Sequence, residues 1–308
     1  MPNTRTDLAM ECFENADGGA VSGAQVSRWE SDGIEITEVV ITDNEAAQLL
    51  DKPKGTYLTL ECPLLRERDP DARLAMASLL AEEIDRIVPS GDGDAPVLVV
   101  GLGNRNITPD ALGPEVVNRT LVTRHLLGAP WAQSGMNSVC AVAPGVLGIT
   151  GIESMELVDA LVKALNPRAI LCVDSLAARD SGRIGCAIQL SDTGIQPGAG
   201  VGNHRRPLTR ESVGVPVISV GMPTVIYAAT LARDAFAWLA DREEDGENHG
   251  EALADMEKAL LGAQIGEMIV TPREIDAIIQ DASGIIASAI NRALQPTLGE
   301  AEIAAMMN

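Results

Sequence analysis

Aromatic residues are scarce in this sequence. They make up 2% of its 308 residues, whereas hydrophobic residues in total make up 46%. A buried core must therefore consist of aliphatic side chains, and the length is sufficient for one large α/β domain or two smaller ones. Basic residues are also few, since 23 Lys and Arg stand against 44 Asp and Glu and the formal net charge is −21. Binding to DNA or RNA requires a basic face, so this composition argues against a direct nucleic-acid partner.

The sequence also lacks the patterns of disulfide-bonded, exported and membrane proteins. Its five cysteines are widely spaced and form no Cys-x-x-Cys motif, which favours free thiols in a reducing compartment. No apolar run approaches the ~20 residues of a membrane-spanning helix. The first residues contain no apolar core of a signal peptide. We therefore predict a cytoplasmic protein with no membrane partner.

Apolar strand-like runs alternate with helical patterns through the middle of the chain, from residue 97 to residue 239. The predicted strands cover residues 97–100, 139–143, 169–174, 183–190 and 216–220. Near-continuous apolar strands separated by helices are typical of a parallel sheet that is covered on both faces. The pattern therefore predicts a three-layer α/β/α fold with a mostly parallel sheet.

Three regions outside this alternation have other patterns. Residues 1–33 are polar and rich in Gly and Asp, which predicts a loose arm. Two runs with strand character within residues 34–61 predict a small N-terminal β extension, an accessory sheet packed against the main domain. Residues 241–251 are strongly acidic, and we interpret them as a solvated insertion.

The first strand of the alternation leads into a glycine turn and then to Asp110. The Gly-x-Gly at residues 101–103 lacks the third glycine of a dinucleotide fingerprint, so nucleotide binding is not favoured. Asp174 and Asp192 follow later strands in a similar way. Because the carboxyl ends of parallel strands meet at one edge of a sheet, we expect the three carboxylates to converge there.

Converging carboxylates have a chemical use that single ones lack. Two close carboxylates can share a proton, so that one acts as an acid and the other as a base. The alternative is structural, because an aspartate that follows a strand often caps a turn or the next helix. Three aspartates at successive strand ends favour the catalytic interpretation.

Histidine is rare, and of the three in the chain only His204 lies near the proposed site, in a glycine-rich loop. One histidine together with two carboxylates can bind a metal ion. Alternatively, residues 204–206 form a basic loop that contacts another subunit or an acidic group of a substrate. We favour the basic-loop interpretation.

Several long segments of the chain resemble the germination protease family of spore-forming bacteria. They are GLGNRNITPDALGP at residues 101–114, APGVLGITGIES at 143–154, VDSLAAR at 173–179, SDTGIQPGAGVGN at 191–203 and VGMPTV at 220–225. The resemblance implies a fold like that of the hydrogenase maturation proteases. It also implies a homotetrameric endopeptidase without a cofactor, which begins the degradation of small acid-soluble spore proteins at germination in the cytoplasm of the forespore and spore.

The same resemblance implies roles for individual residues. It implies an atypical aspartic mechanism in which Asp110 and Asp192 are the catalytic residues. Asp174 matches the place where the related hydrogenase maturation proteases carry an aspartate metal ligand. Residues 6–11, TDLAME, resemble the cleavage motif of a self-processing zymogen. This predicts cleavage between Asp7 and Leu8, with residues 1–7 as the propeptide and residues 8–308 as a single peptidase domain.

Two alternatives stand beside the aspartic endopeptidase. The first is a metal-dependent protease of the hydrogenase-maturation type, in which Asp110, Asp174 and His204 bind the metal ion. The second is a protein without catalytic activity that binds basic spore proteins. Metal analysis with a chelator control tests the first alternative, and binding without cleavage would support the second.

Overall fold

The computed structural model describes residues 6–16, 21–91, 95–127, 135–196, 206–240 and 268–307. These residues form a nine-stranded sheet with helices on both faces. The strands are β1 (Ala24–Ser31), β2 (Ile34–Ile41), β3 (Gly55–Glu61), β4 (Val97–Gly101), β5 (Val139–Val142), β6 (Ala169–Ala178), β7 (Ala187–Ser191), β8 (Val217–Tyr227) and β9 (Ile269–Val270). The helices are α1 (Ala9–Asn15), α2 (Asn44–Leu50), α3 (Pro70–Ile87), α4 (Leu112–Asn118), α5 (Leu147–Thr150), α6 (Ser154–Leu165), α7 (Arg210–Val213), α8 (Ala228–Ala240), α9 (Ile275–Leu294) and α10 (Glu300–Met306).

The strand order in the sheet is β1-β2-β3-β7-β8-β6-β4-β5, and β9 pairs with β8. The central strands β4, β5, β6 and β8 are parallel to one another. In contrast, β7 is antiparallel to β8, and β3, β2 and β1 continue the sheet with antiparallel pairings. The predicted α/β class is confirmed, and the prediction of parallel strands holds for these central four strands only.

The N-terminal strands extend the main sheet instead of forming the accessory sheet that we predicted for residues 34–61. The connection is the pairing of β3 with β7, which runs from Tyr57 opposite Ser191 to Glu61 opposite Ala187. The backbone N–H and C=O groups at this edge of β7 therefore pair with β3. An accessory sheet packed on a face of the main sheet would leave these groups unpaired.

The direction of β7 follows from the short connection before it. Only residues 179–186 separate β6 from β7, and their one regular element is a 3₁₀ turn at Ser181–Arg183. A crossover that carries the chain back to the opposite edge of a sheet needs at least about 10 residues. The chain therefore reverses at the carboxyl end of β6, and β7 ends at the opposite edge of the sheet.

Aliphatic side chains cover both faces of the sheet. Val97 and Val99 of β4 pack in a cluster with α3, α4 and α9, whereas Leu98 and Val100 pack in a cluster with α6 on the other face. A third cluster joins α1 and α2 to β2, β3 and the end of β6. These three clusters bury the side chains that hold the strand ends in place.

The N-terminal residues that the structure describes do not form the loose arm that their composition predicts. Leu8 and Ala9 have 0% exposed surface, and Met10 and Phe13 of α1 are buried in the third cluster. Residues 24–31 form β1. The prediction of a loose arm is therefore wrong for these residues, because their apolar side chains are buried against the sheet.

Strand β8 is longer than predicted, since it continues through Pro223 to Tyr227. Proline cannot donate to a strand ladder and is found in sheets mainly at edges or bulges. The register of β8 against β6 shifts at this point, with Leu176 opposite Pro223 and Ala177 opposite Val225. A bulge thus accommodates the proline inside the sheet.

Three predictions concern residues outside the described ranges. These residues are His204, the acidic stretch 241–251 and the first five residues of the predicted propeptide. Among the residues that the structure describes, no helix is both long and apolar enough to cross a membrane.

Candidate active site

The carboxyl end of β4 is held against the middle of β6 by close backbone contacts. The N–H of Leu102, just after β4, donates to the carbonyl of Val173 in β6 at 2.8 Å. Gly113, in the first turn of α4, lies against both residues. A Cβ atom at Gly113 would be 2.2 Å from the Leu102 carbonyl oxygen and 2.6 Å from that of Val173. Only glycine permits this approach, which brings α4 onto the two strand ends.

Asp110 lies at this edge in a short 3₁₀ turn, Thr108–Asp110. The N–H of Asn104 donates to Asp110 Oδ2 at 2.8 Å, and the hydroxyl of Thr224 in β8 donates to the carbonyl of Pro109 at 2.7 Å. Gly103 has a φ of +111°, and a Cβ there would be 2.1 Å from the Asp110 carbonyl oxygen. The glycine turn and β8 therefore fix a half-buried carboxylate beside the ends of the parallel strands.

Asp174 belongs to the same edge and is 6% exposed. It directly follows Val173, whose carbonyl accepts the Leu102 hydrogen bond, and its Oδ1 accepts from the N–H of Ser175 at 2.9 Å. Asp174 shares a face of β6 with Cys172, because alternate residues of a strand point the same way. Burial, and secondly the charge of Asp174, raise the pKa of the Cys172 thiol. The structure thus brings Asp110 and Asp174 to one edge, as predicted.

Asp192 lies elsewhere, and the prediction that all three aspartates converge is wrong. Because β7 is antiparallel to β8, Ser191 is opposite Ser219, and Ser219 is opposite Cys172 of β6. Asp192 therefore continues toward the amino ends of the parallel strands, away from Asp174. It is exposed, and its Oδ1 accepts from the N–H of Thr56 at the start of β3 at 2.8 Å.

The charge of Asp192 acts on Tyr57, whereas that of Asp174 acts on Cys172. Burial raises the pKa of Tyr57, the Thr193 hydroxyl lowers it, and the charge of Asp192 raises it further. The pKa of the Cys172 thiol, in contrast, is raised by burial and by the charge of Asp174. The two carboxylates thus act on separate groups.

The described residues contain no group of three or more His, Cys, Asp and Glu side chains arranged to hold a metal ion. Carboxylate oxygens such as those of Asp110 and Asp174 suit hard cations, and imidazole suits zinc and nickel. The predicted third ligand, His204, belongs to the chain outside the described ranges. The two aspartates alone are therefore an incomplete ligand set.

The predicted cleavage site also lies at this edge of the sheet. The N–H of Asp7 donates to the carbonyl of Ala177 in β6, and the N–H of Ala177 donates to Asp7 Oδ2, both at 2.8 Å. Gln189 of β7 binds the backbone on either side of Leu8. Our sequence interpretation missed Gln189, for which the available signal was a glutamine inside a buried apolar strand.

Glu11 anchors the segment that follows the predicted cleavage site. Its carboxylate is 0% exposed and accepts from the N–H groups of Arg179 and Asp180, at 2.7 and 2.9 Å, and from Arg183 Nη1 at 2.9 Å. Burial lowers the pKa of Arg183, but Glu11 and Glu61 outweigh burial and raise it. A buried carboxylate with this many donors fixes α1 to the loop after β6.

The family model described as germination protease matches residues 6–261. The chain belongs to the germination protease family. The germination protease of Clostridium acetobutylicum is 41% identical over an alignment that covers 100% of both chains. That of Caldanaerobacter subterraneus is 42% identical, with 97% of this chain and 96% of the relative covered. The chain is therefore a peptidase, a hydrolase of peptide bonds.

More distant proteins are also similar to this chain. The germination protease of Priestia megaterium is 35% identical, with 95% of this chain and 94% of the relative covered. Among solved structures, a NiFe hydrogenase maturation protease from Thermococcus kodakarensis aligns with 68% of this chain and 98% of its own, at a TM-score of 0.34 and 16% identity.

Proposed function

We propose that this protein begins the degradation of small acid-soluble spore proteins during germination, in the cytoplasm of the forespore and spore core. Membership of the family supports a peptidase with this role. The five cysteines are all free thiols, which is consistent with a reducing compartment. By family resemblance, we further propose that the enzyme is a homotetramer, for which sedimentation at several concentrations is the direct measurement.

We propose that Asp110 and Asp174 carry the chemistry. The observation that supports this pair is the contact of Leu102 with Val173, which joins the end of β4, before Asp110, to the residue of β6 that precedes Asp174. A backbone N–H fixes one oxygen of each carboxylate, so both groups are preorganised. One carboxylate removes a proton from the attacking water, and the other donates a proton to the leaving nitrogen.

Asp192, which the sequence resemblance assigns to catalysis, has a structural part in this proposal. Its bond to the Thr56 N–H fixes the start of β3 against the end of β7. The proposal thus replaces Asp192 with Asp174 as the partner of Asp110, and the variants described in the Discussion compare the two assignments.

We also propose that the chain is a zymogen that cleaves itself between Asp7 and Leu8. The position of Asp7 on Ala177, three residues beyond Asp174 in the same strand, supports this proposal. After cleavage, the bonds of Glu11 would hold residues 8–16 in place.

The experiment is to incubate the purified chain alone and with a small acid-soluble spore protein, and to measure intact masses over time. We expect the chain to lose residues 1–7 and the substrate to be cut within its acidic–apolar motif. Binding of the substrate without any cleavage would contradict the proposal and support the non-catalytic alternative. A parallel incubation with a chelator tests the metal-dependent alternative, because an aspartic mechanism retains its rate.

A further inference from the structure

The side-chain amide of Gln189 forms hydrogen bonds to the backbone on both sides of the predicted cleavage site, one through each of its polar atoms. Its Nε2 donates to the carbonyl oxygen of Asp7 at 3.0 Å, and its Oε1 accepts from the N–H of Ala9 at 2.7 Å. Gln189 is buried, and both contacts are with backbone groups. These two hydrogen bonds therefore fix the position of the Asp7–Leu8 peptide bond independently of the side chains of residues 7–9.

Asp7, at the amino end of this segment, is also fixed to β6. Strand β6 pairs with β4 only as far as Val173, so its edge beyond that residue is open to another partner. Asp7 occupies this edge at Ala177, where its N–H and its carboxylate both bond to the strand backbone. The carboxylate of Asp7 thus takes the place of the backbone acceptor that a neighbouring strand would offer to the N–H of Ala177.

The register of the sheet places Gln189 on the face that carries Asp174. Gln189 is opposite Gly221 in β8, and Gly221 is opposite Asp174 in β6, so the three residues form one row. Two strand spacings, about 10 Å in total, separate the ends of this row. Gln189 and Asp174 therefore share one face of the sheet, and Asp7, which Gln189 contacts, is bonded to β6 three residues beyond Asp174.

We propose that Gln189 positions the Asp7–Leu8 bond for self-cleavage and stabilises the oxygen on which negative charge develops. This inference rests on the proposed self-processing function. Water adds to the carbonyl carbon of Asp7, the bond to the nitrogen of Leu8 breaks, and that nitrogen takes up a proton. During this step the Asp7 carbonyl oxygen becomes negative, and the Gln189 Nε2–H already points at it, as a preorganised donor should.

The test compares Gln189→Leu and Gln189→Glu in the full-length chain. Leucine removes both hydrogen bonds. Ionised glutamate keeps an acceptor for the Ala9 N–H. It also places a negative charge beside the Asp7 carbonyl oxygen, which must itself become negative during the reaction. Protonated glutamate again offers one donor and one acceptor, like glutamine. The matched controls are Gln280→Leu and Gln280→Glu, at an exposed glutamine on α9.

We expect self-cleavage, followed by intact mass, to slow by about 100-fold or more in both Gln189 variants at neutral pH, as for loss of an oxyanion donor. Cleavage by Gln189→Glu should recover as the pH falls, whereas Gln189→Leu should not recover. The Gln280 variants should process at the wild-type rate. Urea unfolding of each variant gives the folded fraction at which each rate is measured.

Three outcomes would overturn the inference. If the Gln189 variants process at the wild-type rate, Gln189 has no part in the reaction, although the proposed function stands. If their rates fall only in proportion to the folded fraction, Gln189 is a structural anchor of α1 and nothing more. If the wild-type chain does not process at all, both this inference and the proposed self-processing fail.

Discussion

Asp174 and Asp192 have the same local sequence pattern but opposite places in the fold. Each comes at the end of a buried apolar run and is followed by a hydroxyl residue, Ser175 or Thr193. Asp174 lies in the parallel strand β6 and is 6% exposed, whereas Asp192 follows the antiparallel strand β7 and is exposed. An aspartate at a strand end is thus a candidate for the active site only when the direction of its strand is known.

The first way to sharpen this comparison is to remove the charge of Asp110. Asparagine at this position keeps an acceptor for the Asn104 N–H, so we expect Asp110→Asn to fold like the wild type. The loss of a proton-transfer group should lower the cleavage rate by about 10²- to 10⁴-fold. Cleavage of a small acid-soluble spore protein measures the rate, and circular dichroism serves as the folding control. An unchanged rate would remove Asp110 from the mechanism.

The second way is to separate the end of β4 from β6, which it contacts beside Asp174. A methyl group at Gly113 would overlap the backbone of Leu102 and Val173, and no side-chain movement relieves this overlap. We expect Gly113→Ala to lower the free energy of unfolding by about 3 kcal/mol in urea titration. Gly148→Ala in α5 is the matched control, since nothing lies within 4 Å of a Cβ there. Equal stability of the two variants would show that the contact is not tight.

The third and smallest effect concerns the charge that each aspartate exerts on its neighbour. Because a nearby negative charge disfavours tyrosinate, Asp192→Asn should lower the pKa of Tyr57, whereas Asp174→Asn should leave it unchanged. The chain has only two tyrosines, so alkaline titration of the phenol absorbance can resolve this shift. If the pKa of Tyr57 fell in the Asp174 variant and not in the Asp192 variant, Asp174 would be the carboxylate near Tyr57, and the comparison would be contradicted.

Much of the fold was predictable because apolar periodicity is a local signal. The strands β4, β5, β6 and β8 begin within one residue of their predicted positions. The direction of β7 was predictable in principle, because the connection from β6 is too short for a crossover.

Other features depend on contacts between residues that are distant in the chain. Glu11 is polar, and its burial requires Arg183 and the backbone of residues 179–180, which no local pattern indicates. Similarly, Gln189 meets the N-terminal segment only because β7 lies two strands from β6. The glycine turn and Asp110 were recognisable from sequence, whereas the choice between Asp174 and Asp192 required the sheet topology.

The most direct test of this account compares Asp174→Asn with Asp192→Asn in one cleavage assay. Initial rates on a small acid-soluble spore protein are measured for both variants and the wild type, with folding verified by circular dichroism. We predict a loss of at least about 100-fold for Asp174→Asn and a rate close to wild type for Asp192→Asn. The reverse order would contradict the assignment of Asp110 and Asp174 and restore Asp192 as the catalytic partner.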